Sequence, residues 1–337
     1  MSFCKLLKIF LFSYFLVKIS DSIISRIINL ILHVYVTELL NMKFCLIYNK
    51  KSAGGKKSKF IKKIVDEISN HHKVDLFETS NESEASEIIK NFEMNNYDRL
   101  IVAGGDGSVS FAINELIKNN FKLHDNFAIG YIPAGTANIL QAELGMTKNV
   151  KHIANTLTSD NYDKTCLVKI NDKYFILMAG IGWDAQIVNS IDAYLKKILG
   201  KVIFGIKGFQ KFLSMNNKKI KVSIDKEDIF ADWVLCSNSK YYAGHHKITD
   251  THIFDKKFTT YIFKDLKRYK LLYYIYLIAV YGNLDKSKSV ITIHVNEIKF
   301  DGLGNSIPVQ IDGDNFGEHK KIVVSSSERK FNILKAA

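Results

Sequence analysis

A glycine-rich turn in the first third of the chain could bind a phosphate group. It follows an apolar, strand-like run and precedes a helical one, and its residues are Gly104, Gly105, Asp106, Gly107 and Ser108. Glycines let backbone N–H groups approach an anion without a Cβ in the way, and a helix start adds free N–H groups and a positive dipole end. A carboxylate such as Asp106 fits beside a phosphate if it positions Mg²⁺ or its waters. Taken alone, the turn could equally be an ordinary strand-to-helix connection.

Two further loops also follow predicted strands. One contains Gly135, Thr136 and Asn138, and the other covers residues 49–55, beginning at Asn49. All three loops leave the carboxyl ends of strands, which is where doubly wound sheets bind their ligands. Three such loops in one region favour a ligand site, although none has the spacing of a G-x-G-x-x-G motif or a Walker P-loop.

Strands and helices alternate over the first half of the chain. Predicted strands cover residues 43–48, 74–77, 100–103 and 128–132, and predicted helices cover 57–71, 82–94 and 108–119. The strands are short and apolar, as in a parallel sheet that is covered on both faces. The alternation predicts a doubly wound α/β nucleotide-binding domain over residues 42–165.

The second half of the chain has a different pattern. Two strands are expected within 163–178, helical sequence over 185–215, a helix over 266–280, and alternating strands near 220–224, 291–295 and 309–311. Alternation of this kind indicates antiparallel sheet with one solvated face. The predicted fold class is therefore α/β plus β, with an antiparallel β-rich, sandwich-like second domain over 166–322. Residues 323–337 are expected to return to the first domain.

Residues 1–41 precede the first predicted strand and are treated separately. An apolar run over residues 9–17 is too short to span a bilayer, which takes about 20 residues. A helical stripe of isoleucines follows at positions 23, 24, 27, 28 and 31. Two interpretations stay open: a membrane-surface helix, or a start assigned too early, because Met42 directly precedes the first strand.

The composition indicates a globular protein with basic character. Hydrophobic residues make up 47% of the chain, and the formal net charge is +13. This balance suits anionic lipids, polyphosphates or nucleic acid, but the lysines are scattered and no nucleic-acid-binding module is visible, so we expect no nucleic acid partner. The four cysteines show no metal spacing. Cys45 and Cys166 lie in apolar runs, and we expect core positions and a reducing cytosolic compartment.

Five motifs together resemble the diacylglycerol kinase catalytic-domain family, which includes bacterial soluble lipid kinases and sphingosine kinases within the NAD kinase-like superfamily. Residues 49–55 are similar to its N-P-x-S-G-x-G, residues 104–108 to G-G-D-G-T, residues 135–138 to G-T-x-N, residues 179–185 to G-x-G-F-D-A, and residues 309–314 to V-x-x-D-G-E/D. The first motif departs from the family, since Lys50 replaces the proline and Ala53 a glycine. The motifs occur in the family's order and cover the chain from Met42 onward.

The resemblance implies a two-domain kinase that binds Mg-ATP in a cleft and phosphorylates a lipid hydroxyl. By position, its ATP contacts would be Asn49, Ser52, Thr79, Gly105, Asp106, Gly107, Ser108 and Thr136. The family's proton acceptor falls on Asp314, where most soluble relatives carry glutamate, and Asp312 would orient the site or assist through magnesium. A structural Mg²⁺ would fall on Asp255, although Lys256 stands where the family has glycine.

A lipid acceptor implies contact with a membrane. We expect a cytoplasmic enzyme that attaches peripherally to the inner face of the membrane, and the basic-aromatic residues between 196 and 211 are one candidate for the attachment. The acceptor stays open between diacylglycerol, phosphatidylglycerol, a sphingoid base and other lipid alcohols. Assembly into a homo-oligomer stays open as well.

Two rival functions share parts of the pattern. An NAD kinase-like or other small-molecule kinase would carry the same Gly-Gly-Asp-Gly turn, but residues 135–138 and 309–314 follow the lipid-kinase pattern. A catalytically silent, lipid-binding regulator would keep the fold without the chemistry. The presence of Asp106, Thr136, Asp312 and Asp314 argues against such a loss.

Overall fold

The structure is a computed structural model, and it describes residues 41–337 apart from 93–95, 122, 192–201, 215–217, 225–226, 245, 283 and 285–286. The side chains of residues 51–56 and 202–204 are outside the description as well. Of the N-terminal extension predicted over residues 1–41, all but the last residue lies outside the described residues.

The elements of the described chain alternate between helix and strand in its first half and are mostly strands in its second half. The helices are α1 (Lys50–Ser69), α2 (Glu82–Lys90), α3 (Asp106–Asn119), α4 (Ile139–Glu143), α5 (Val150–Thr158), α6 (Trp183–Asn189), α7 (Val202–Leu213) and α8 (Arg268–Tyr276), which continues as a π-helical turn (Leu277–Tyr281). The strands are β1 (Lys43–Asn49), β2 (Lys73–Thr79), β3 (Arg99–Gly104), β4 (Ala128–Pro133), β5 (Tyr162–Ile170), β6 (Lys173–Phe175), β7 (Met178–Gly182), β8 (Ile220–Ile224), β9 (Glu227–Ala231), β10 (Trp233–Ser237), β11 (Tyr241–Tyr242), β12 (His246–Lys247), β13 (Phe258–Phe263), β14 (Val290–Val295), β15 (Glu297–Asp301), β16 (Ile307–Ile311), β17 (Asp314–His319) and β18 (Lys321–Leu334).

The larger sheet has a parallel half and an antiparallel half. Its order is β2-β1-β3-β4-β18-β15-β8-β9, with β5 and β6 attached through β18. Strands β2, β1, β3 and β4 are mutually parallel, and β18 joins β4 in parallel, with Asn332 opposite Ala128. The other pairs of this sheet are antiparallel. The three segments predicted as loops follow β1, β3 and β4, at the carboxyl ends of strands in the parallel half.

A second, antiparallel sheet covers the antiparallel half of the first. Its order is β14-β13-β10-β7-β16-β17. Apolar residues of the two sheets form a common buried cluster, to which β8 contributes Val222, β15 contributes Phe300, β7 contributes Ile181 and β16 contributes Val309. The predicted fold class, α/β with a separate antiparallel β-rich region, is thereby confirmed. The division into domains at residues 165 and 322 stays a prediction, because one sheet runs across both limits.

One predicted loop is a helix. Helix α1 begins at Lys50 directly after β1, so most of the loop expected over residues 49–55 forms its first turns, and the prediction is wrong there. Lysine favours helix and, unlike the proline that stands at this place in the family, keeps its backbone N–H. The other predicted helices and strands are present with shifts at their ends, although residues 192–201 of the helical segment predicted over 185–215 lie outside the described residues. Helices α4 and α5 and strands β10 and β13 are among the elements that the sequence did not indicate. The Asn171-Asp172 turn joins β5 to β6 as expected.

The predicted core positions of the cysteines are confirmed. Cys45 and Cys166 are buried in the apolar interior, as is Cys236, and all three are free thiols. Burial raises the pKa of the Cys236 thiol to about 12, which keeps it protonated and unreactive at neutral pH.

Candidate active site

The carboxyl ends of four parallel strands meet at one edge of the larger sheet. Asn49 ends β1 in register with Thr79 at the end of β2, while Gly104 ends β3 in register with Pro133 at the end of β4. Hence the predicted loops are neighbours in space, as parallel topology requires. Asn49 is half-buried at this edge.

Two residues near this edge, Thr79 and Ser52, were predicted to contact ATP. The hydroxyl group of Thr79 is buried and donates a hydrogen bond of 3.2 Å to the carbonyl oxygen of Tyr48, so it links β2 to β1. Ser52 lies in the first turns of α1, and its side chain is outside the described part of the structure. Their contacts with ATP stay predictions.

The turn after β3 and the turn after β4 are in direct backbone contact. Ala134 N–H donates to the carbonyl oxygen of Gly104 at 2.9 Å. A Cβ at Gly135 would lie 2.3 Å from the Cα of Gly105, so only glycine permits this approach. Asn138 holds the second turn, because its Oδ1 accepts from Gly135 N–H at 2.8 Å and from the Tyr131 hydroxyl at 3.0 Å.

Asp106 connects the same two turns from its position at the start of α3. Its two carboxylate oxygens accept hydrogen bonds of 2.9 Å from the N–H groups of Ile139 and Leu140, in the first turn of α4. Burial raises the pKa of Asp106, and the nearby charge of Asp314 raises it further. Asp106 is thus a fixed acceptor whose carboxylate lies close to a second carboxylate.

Two predicted ATP contacts, Ser108 and Thr136, lie in these turns. A third residue, Lys57, contacts the second turn and was not predicted from the sequence. Ser108 is exposed on the first turn of α3 and Thr136 is half-buried at the tip of the second turn. The Lys57 ammonium group, on α1, donates a 2.6 Å hydrogen bond to the carbonyl oxygen of Ala134. Partial burial lowers the pKa of Lys57, with a contribution from Lys148. Among 47 basic residues, no sequence signal distinguishes Lys57.

Asp312 is the anchor of the β16–β17 hairpin. Its Oδ1 accepts from the N–H groups of Leu177 and Met178 at 2.9 Å, and its Oδ2 accepts from that of Ile176 at 3.1 Å. Burial raises its pKa to about 6, against the opposing effect of these hydrogen bonds. Asp312 and Gly313 both have positive φ angles, 49° and 82°, as a two-residue type I′ hairpin turn requires.

The hairpin brings Asp314 against the first glycine turn. A Cβ on Gly107 would lie 1.8 Å from Asp314 Oδ2, so the carboxylate occupies the space that any larger residue would fill. Asp314 itself is exposed to solvent. The structure therefore places a solvent-accessible carboxylate from the second half of the chain at the N-terminal end of α3, where anions also bind.

A buried hydrogen-bonded chain supports the hairpin from behind. Gly313 N–H donates to Gln310 Oε1 at 2.9 Å, and Gln310 Nε2 donates to Asp184 Oδ2 at 3.2 Å. Asp184 Oδ2 lies against Gly180, where a Cβ would be 2.0 Å away. Burial raises the pKa of Asp184 to about 7. The motif at residues 179–185 includes Asp184 and was the sequence signal for this hydrogen-bonded network. Neither Asp184 nor Gln310 was predicted to have a role in the site.

The predicted metal residue Asp255 lies apart from these turns. Its Oδ2 accepts a hydrogen bond of 2.7 Å from His252 N–H, and its own N–H donates to the His252 carbonyl oxygen. In the described part of the chain, no group of three or more His, Cys, Asp or Glu residues could hold a metal ion. A metal at Asp255 stays a prediction. None of the helices searched among the described residues is long and apolar enough to cross a bilayer.

Comparisons with known proteins agree with the motifs. Residues 43–170 match the family model of the diacylglycerol kinase catalytic domain. A diacylglycerol kinase of Staphylococcus aureus (strain bovine RF122 / ET3-1) is 26% identical over 227 residues, which cover 66% of this chain and 70% of that protein. A relative from Staphylococcus carnosus (strain TM300) is 27% identical over 172 residues, so that the match covers 50% of this chain and 55% of that protein.

A solved structure extends the likeness to nearly the whole described chain. The crystal structure of a diacylglycerol kinase from Bacillus anthracis (strain Sterne) superposes with a TM-score of 0.66 over 87% of this chain and 97% of that one, at 19% identity. At this identity the likeness shows a shared fold. The chain is therefore similar to diacylglycerol kinases, and its residues 43–170 match the model of their catalytic domain.

Proposed function

We propose that the protein is a lipid kinase that transfers the γ-phosphoryl group of Mg-ATP to the hydroxyl group of diacylglycerol or a related lipid, with Asp314 as the general base. The observation that carries the proposal is the position of the Asp314 carboxylate directly over Gly107. A general base has to lie within hydrogen-bond reach of the proton that it takes up. If a phosphate group binds at the start of α3, a lipid hydroxyl group that attacks it would lie within hydrogen-bond reach of the Asp314 carboxylate.

The two glycine turns support ATP as the donor. Their backbones touch at Gly105 and Gly135, where a Cβ would fill the space between them. The start of α3 carries no side-chain cap on its N-cap residue, and a helix start of this kind attracts phosphate through its N–H groups and dipole. The residues present therefore fit a polyphosphate.

The residues also fit Mg²⁺. Two carboxylates, Asp106 and Asp314, lie close enough that the charge of one raises the pKa of the other, and paired carboxylates are hard oxygen donors of the kind that Mg²⁺ prefers. Each oxygen of Asp106 accepts one N–H, while a carboxylate has about four lone-pair positions. Asp106 would hold the ion or its waters, the nearby charge of Asp314 would add to the electrostatic attraction, and a bound Mg²⁺ would neutralise phosphate charge.

The chain's own residues would act mainly by positioning. Phosphoryl transfer passes through a loose transition state in which placement and charge neutralisation matter most. Asp312 and Gln310 hold the hairpin turn, and Asp314 would take the hydroxyl proton on its carboxylate. General base catalysis of this kind contributes about 10²–10⁴-fold to the rate.

The proposal includes peripheral attachment to the cytoplasmic face of a membrane, because a long-chain lipid acceptor resides in a bilayer. The net charge of +13 supports it, since basic proteins are attracted to the anionic lipids of that face.

Phosphorylation of lipids by the purified protein tests the proposed function. The protein would be incubated with labelled ATP and either detergent-dispersed short-chain diacylglycerol or a total membrane lipid extract, and the products identified by mass spectrometry. We expect phosphorylated lipid, a loss of about 100-fold or more in Asp314→Asn, and substantial activity in Asp314→Glu, which restores the carboxylate of the relatives. Turnover with NAD alone would support the small-molecule kinase instead, and full activity in Asp314→Asn would refute the assignment of the base.

A further inference from the structure

Helix α8 and the π-helical turn that continues it are apolar on both sides. On the inner side, Leu271, Tyr274 and Leu277 are buried, and the Tyr274 ring packs on Phe263 with centroids 5.1 Å apart. The buried side packs the helix against the protein. An ordinary surface helix would carry charged and polar residues on its other side.

The outer side carries large apolar and aromatic residues instead. Five of them, spaced by three or four positions and therefore on one face, form what we call the tyrosine face: Tyr269, Leu272, Tyr273, Tyr276 and Val280, whose exposed fractions are 64%, 56%, 44%, 49% and 61%. Five neighbouring residues of this kind are more than the scattered exposed apolar residues of a normal surface. A contiguous apolar patch on a soluble protein marks an interaction site.

The composition of the tyrosine face favours a lipid surface. Three of its five residues are tyrosines, whose rings are apolar and whose hydroxyl groups are polar, and such residues collect at the headgroup level of membranes. Lys267 and Lys270 lie at the N-terminal end of the face. The acidic residue near them, Asp265, forms an ion pair with Lys219 at 3.2 Å. Lysines beside an apolar face match an anionic bilayer.

A polar cavity adjoins the other end of the face. Its volume is about 700 Å³, and Tyr281 and Gly282 form part of its wall together with Lys247, Lys256 and Lys257. Of the two acidic groups that line it, Asp250 pairs with Lys247 at 2.5 Å, and Asp255 accepts a backbone hydrogen bond. With Lys247 paired to Asp250, the charges of Lys256 and Lys257 exceed the single charge of Asp255, so this end carries a net positive charge that suits the phosphate of a lipid headgroup.

Helix α7 extends the apolar surface. The Arg268 guanidinium group donates to the carbonyl oxygens of Phe212 and Leu213, at 3.1 and 2.5 Å, and thereby fixes the end of α7 beside the start of α8. Phe209 and Leu213 are exposed on α7 by 62% and 54%. This segment is the described part of the basic-aromatic stretch that the sequence indicated for membrane attachment.

From these observations we infer that the tyrosine face docks the protein on an anionic lipid bilayer, with its apolar side chains in the interface and the lysines at both ends on lipid phosphates. The inference rests on the proposed lipid kinase function, which makes a bilayer the expected partner rather than another protein.

Sedimentation with vesicles tests the docking without any need for turnover. The full chain would be mixed with phosphatidylcholine vesicles that contain or lack phosphatidylglycerol, with free phosphate as a separate competitor. Leu272→Gln with Tyr276→Gln should weaken binding about tenfold or more, because two apolar side chains no longer enter the interface. Lys257→Glu with Lys270→Glu should weaken binding at least fivefold for each lysine, only on vesicles with phosphatidylglycerol.

Matched variants elsewhere on the surface serve as controls. Phe230→Gln with Val323→Gln replaces two other exposed apolar residues, and Lys63→Glu with Lys90→Glu reverses two exposed lysines of α1 and α2. Neither pair should change vesicle binding. Equal losses in the controls and the test variants, unchanged binding in the Leu272→Gln, Tyr276→Gln variant, or a change in its oligomeric state instead of its vesicle binding would overturn the inference.

Turnover on detergent-dispersed short-chain diacylglycerol separates this inference from the proposed function. We expect the tyrosine-face variants to keep that activity while they lose vesicle binding. Absence of turnover in the unmodified protein, with vesicle binding that depends on the face, would refute the proposed function and leave the docking surface standing. Competition by free phosphate without any effect of the apolar substitutions would show an anion site and would overturn the docking.

Discussion

Substitution of Gly107 by alanine tests the central contact of the site. The new Cβ would lie 1.8 Å from Asp314 Oδ2 and 3.0 Å from its Cγ. Since a carbon–oxygen contact settles at about 3.3 Å, the carboxylate oxygen has to move by roughly 1.5 Å. Asp314 is exposed at a hairpin end, so its side chain can rotate away without a shift of the backbone.

The expected effect on catalysis is large and the effect on stability is small. A displacement of about 1 Å at a reacting group can lower the rate about 100-fold, and full loss of a general base lowers it about 10²–10⁴-fold. We therefore expect kcat to fall about 100-fold or more. Gly107 lies in the first turn of α3, where alanine favours the helix, so the free energy of unfolding should stay the same or rise by up to about 1 kcal/mol.

The assay is initial-rate kinetics on detergent-dispersed short-chain diacylglycerol, with kcat and the KM for ATP measured separately and the Tm measured in parallel. Gly205→Ala, on α7, is the matched control, because a Cβ there meets nothing within 4 Å. In an Asp314→Ala background, Gly107→Ala should add little, since both changes remove the same contact. Full activity of Gly107→Ala, an increase in KM for ATP alone, or full additivity with Asp314→Ala would refute the reasoning.

Three further predictions concern the buried carboxylates. Because burial raises the pKa of Asp184 to about 7, the folded state holds this proton more tightly than the unfolded state, so the stabilising contribution of the protonated group is lost as the pH rises from about 4 to about 7. Asp184→Asn should therefore flatten the decline in unfolding free energy over that range by a few kcal/mol, as measured by urea unfolding; an unchanged slope would contradict the assignment. Asp312→Ala should lower the free energy of unfolding by about 3–5 kcal/mol, because it leaves three backbone N–H groups without their acceptor, whereas Asp312→Asn, which keeps one oxygen, should cost less; equal Tm values for the two variants would count against this. Asp106→Asn keeps an oxygen for only one of the N–H groups of Ile139 and Leu140, and we expect a loss of about 1–3 kcal/mol together with a lower kcat, so a variant with normal Tm and normal kcat would be inconsistent with both roles of Asp106.

The sequence predicted the first four strands well because their fold follows from local pattern. Strands β3 and β4 are almost entirely buried, and only short apolar runs between helices satisfy such positions. The Asp-Gly pair at residues 312–313 likewise indicated the turn that the structure shows, since both of its φ angles are positive. The order of the motifs then indicated that the glycine turns and the hairpin belong to one site.

The partners of individual atoms could not be predicted, because they depend on segments that meet only in the folded chain. Asp106 was predicted to position a metal ion, but no sequence pattern indicated that its oxygens also accept N–H groups more than thirty residues further along. The hydrogen bond from the Thr79 hydroxyl group to the neighbouring strand was likewise not indicated by the sequence. The buried link from Asp184 through Gln310 to the hairpin spans 126 residues, and no local periodicity encodes a contact of that range.

The position of β18 in the larger sheet has a consequence for how the protein is made. Strand β4 ends at Pro133, but its partner residues on β18 are Asn332 and Ile333. During synthesis, the β4 edge that pairs with β18 therefore stays unpaired until roughly two hundred further residues have left the ribosome. At about 5–20 residues per second this takes on the order of ten seconds or more. An open, apolar strand edge is prone to pair with other chains during that time, and non-local pairing of this kind also slows folding. The strand that closes the sheet beside the glycine turns is therefore translated long after its partner β4, and nascent chains that stall before it are expected to be substrates for chaperones.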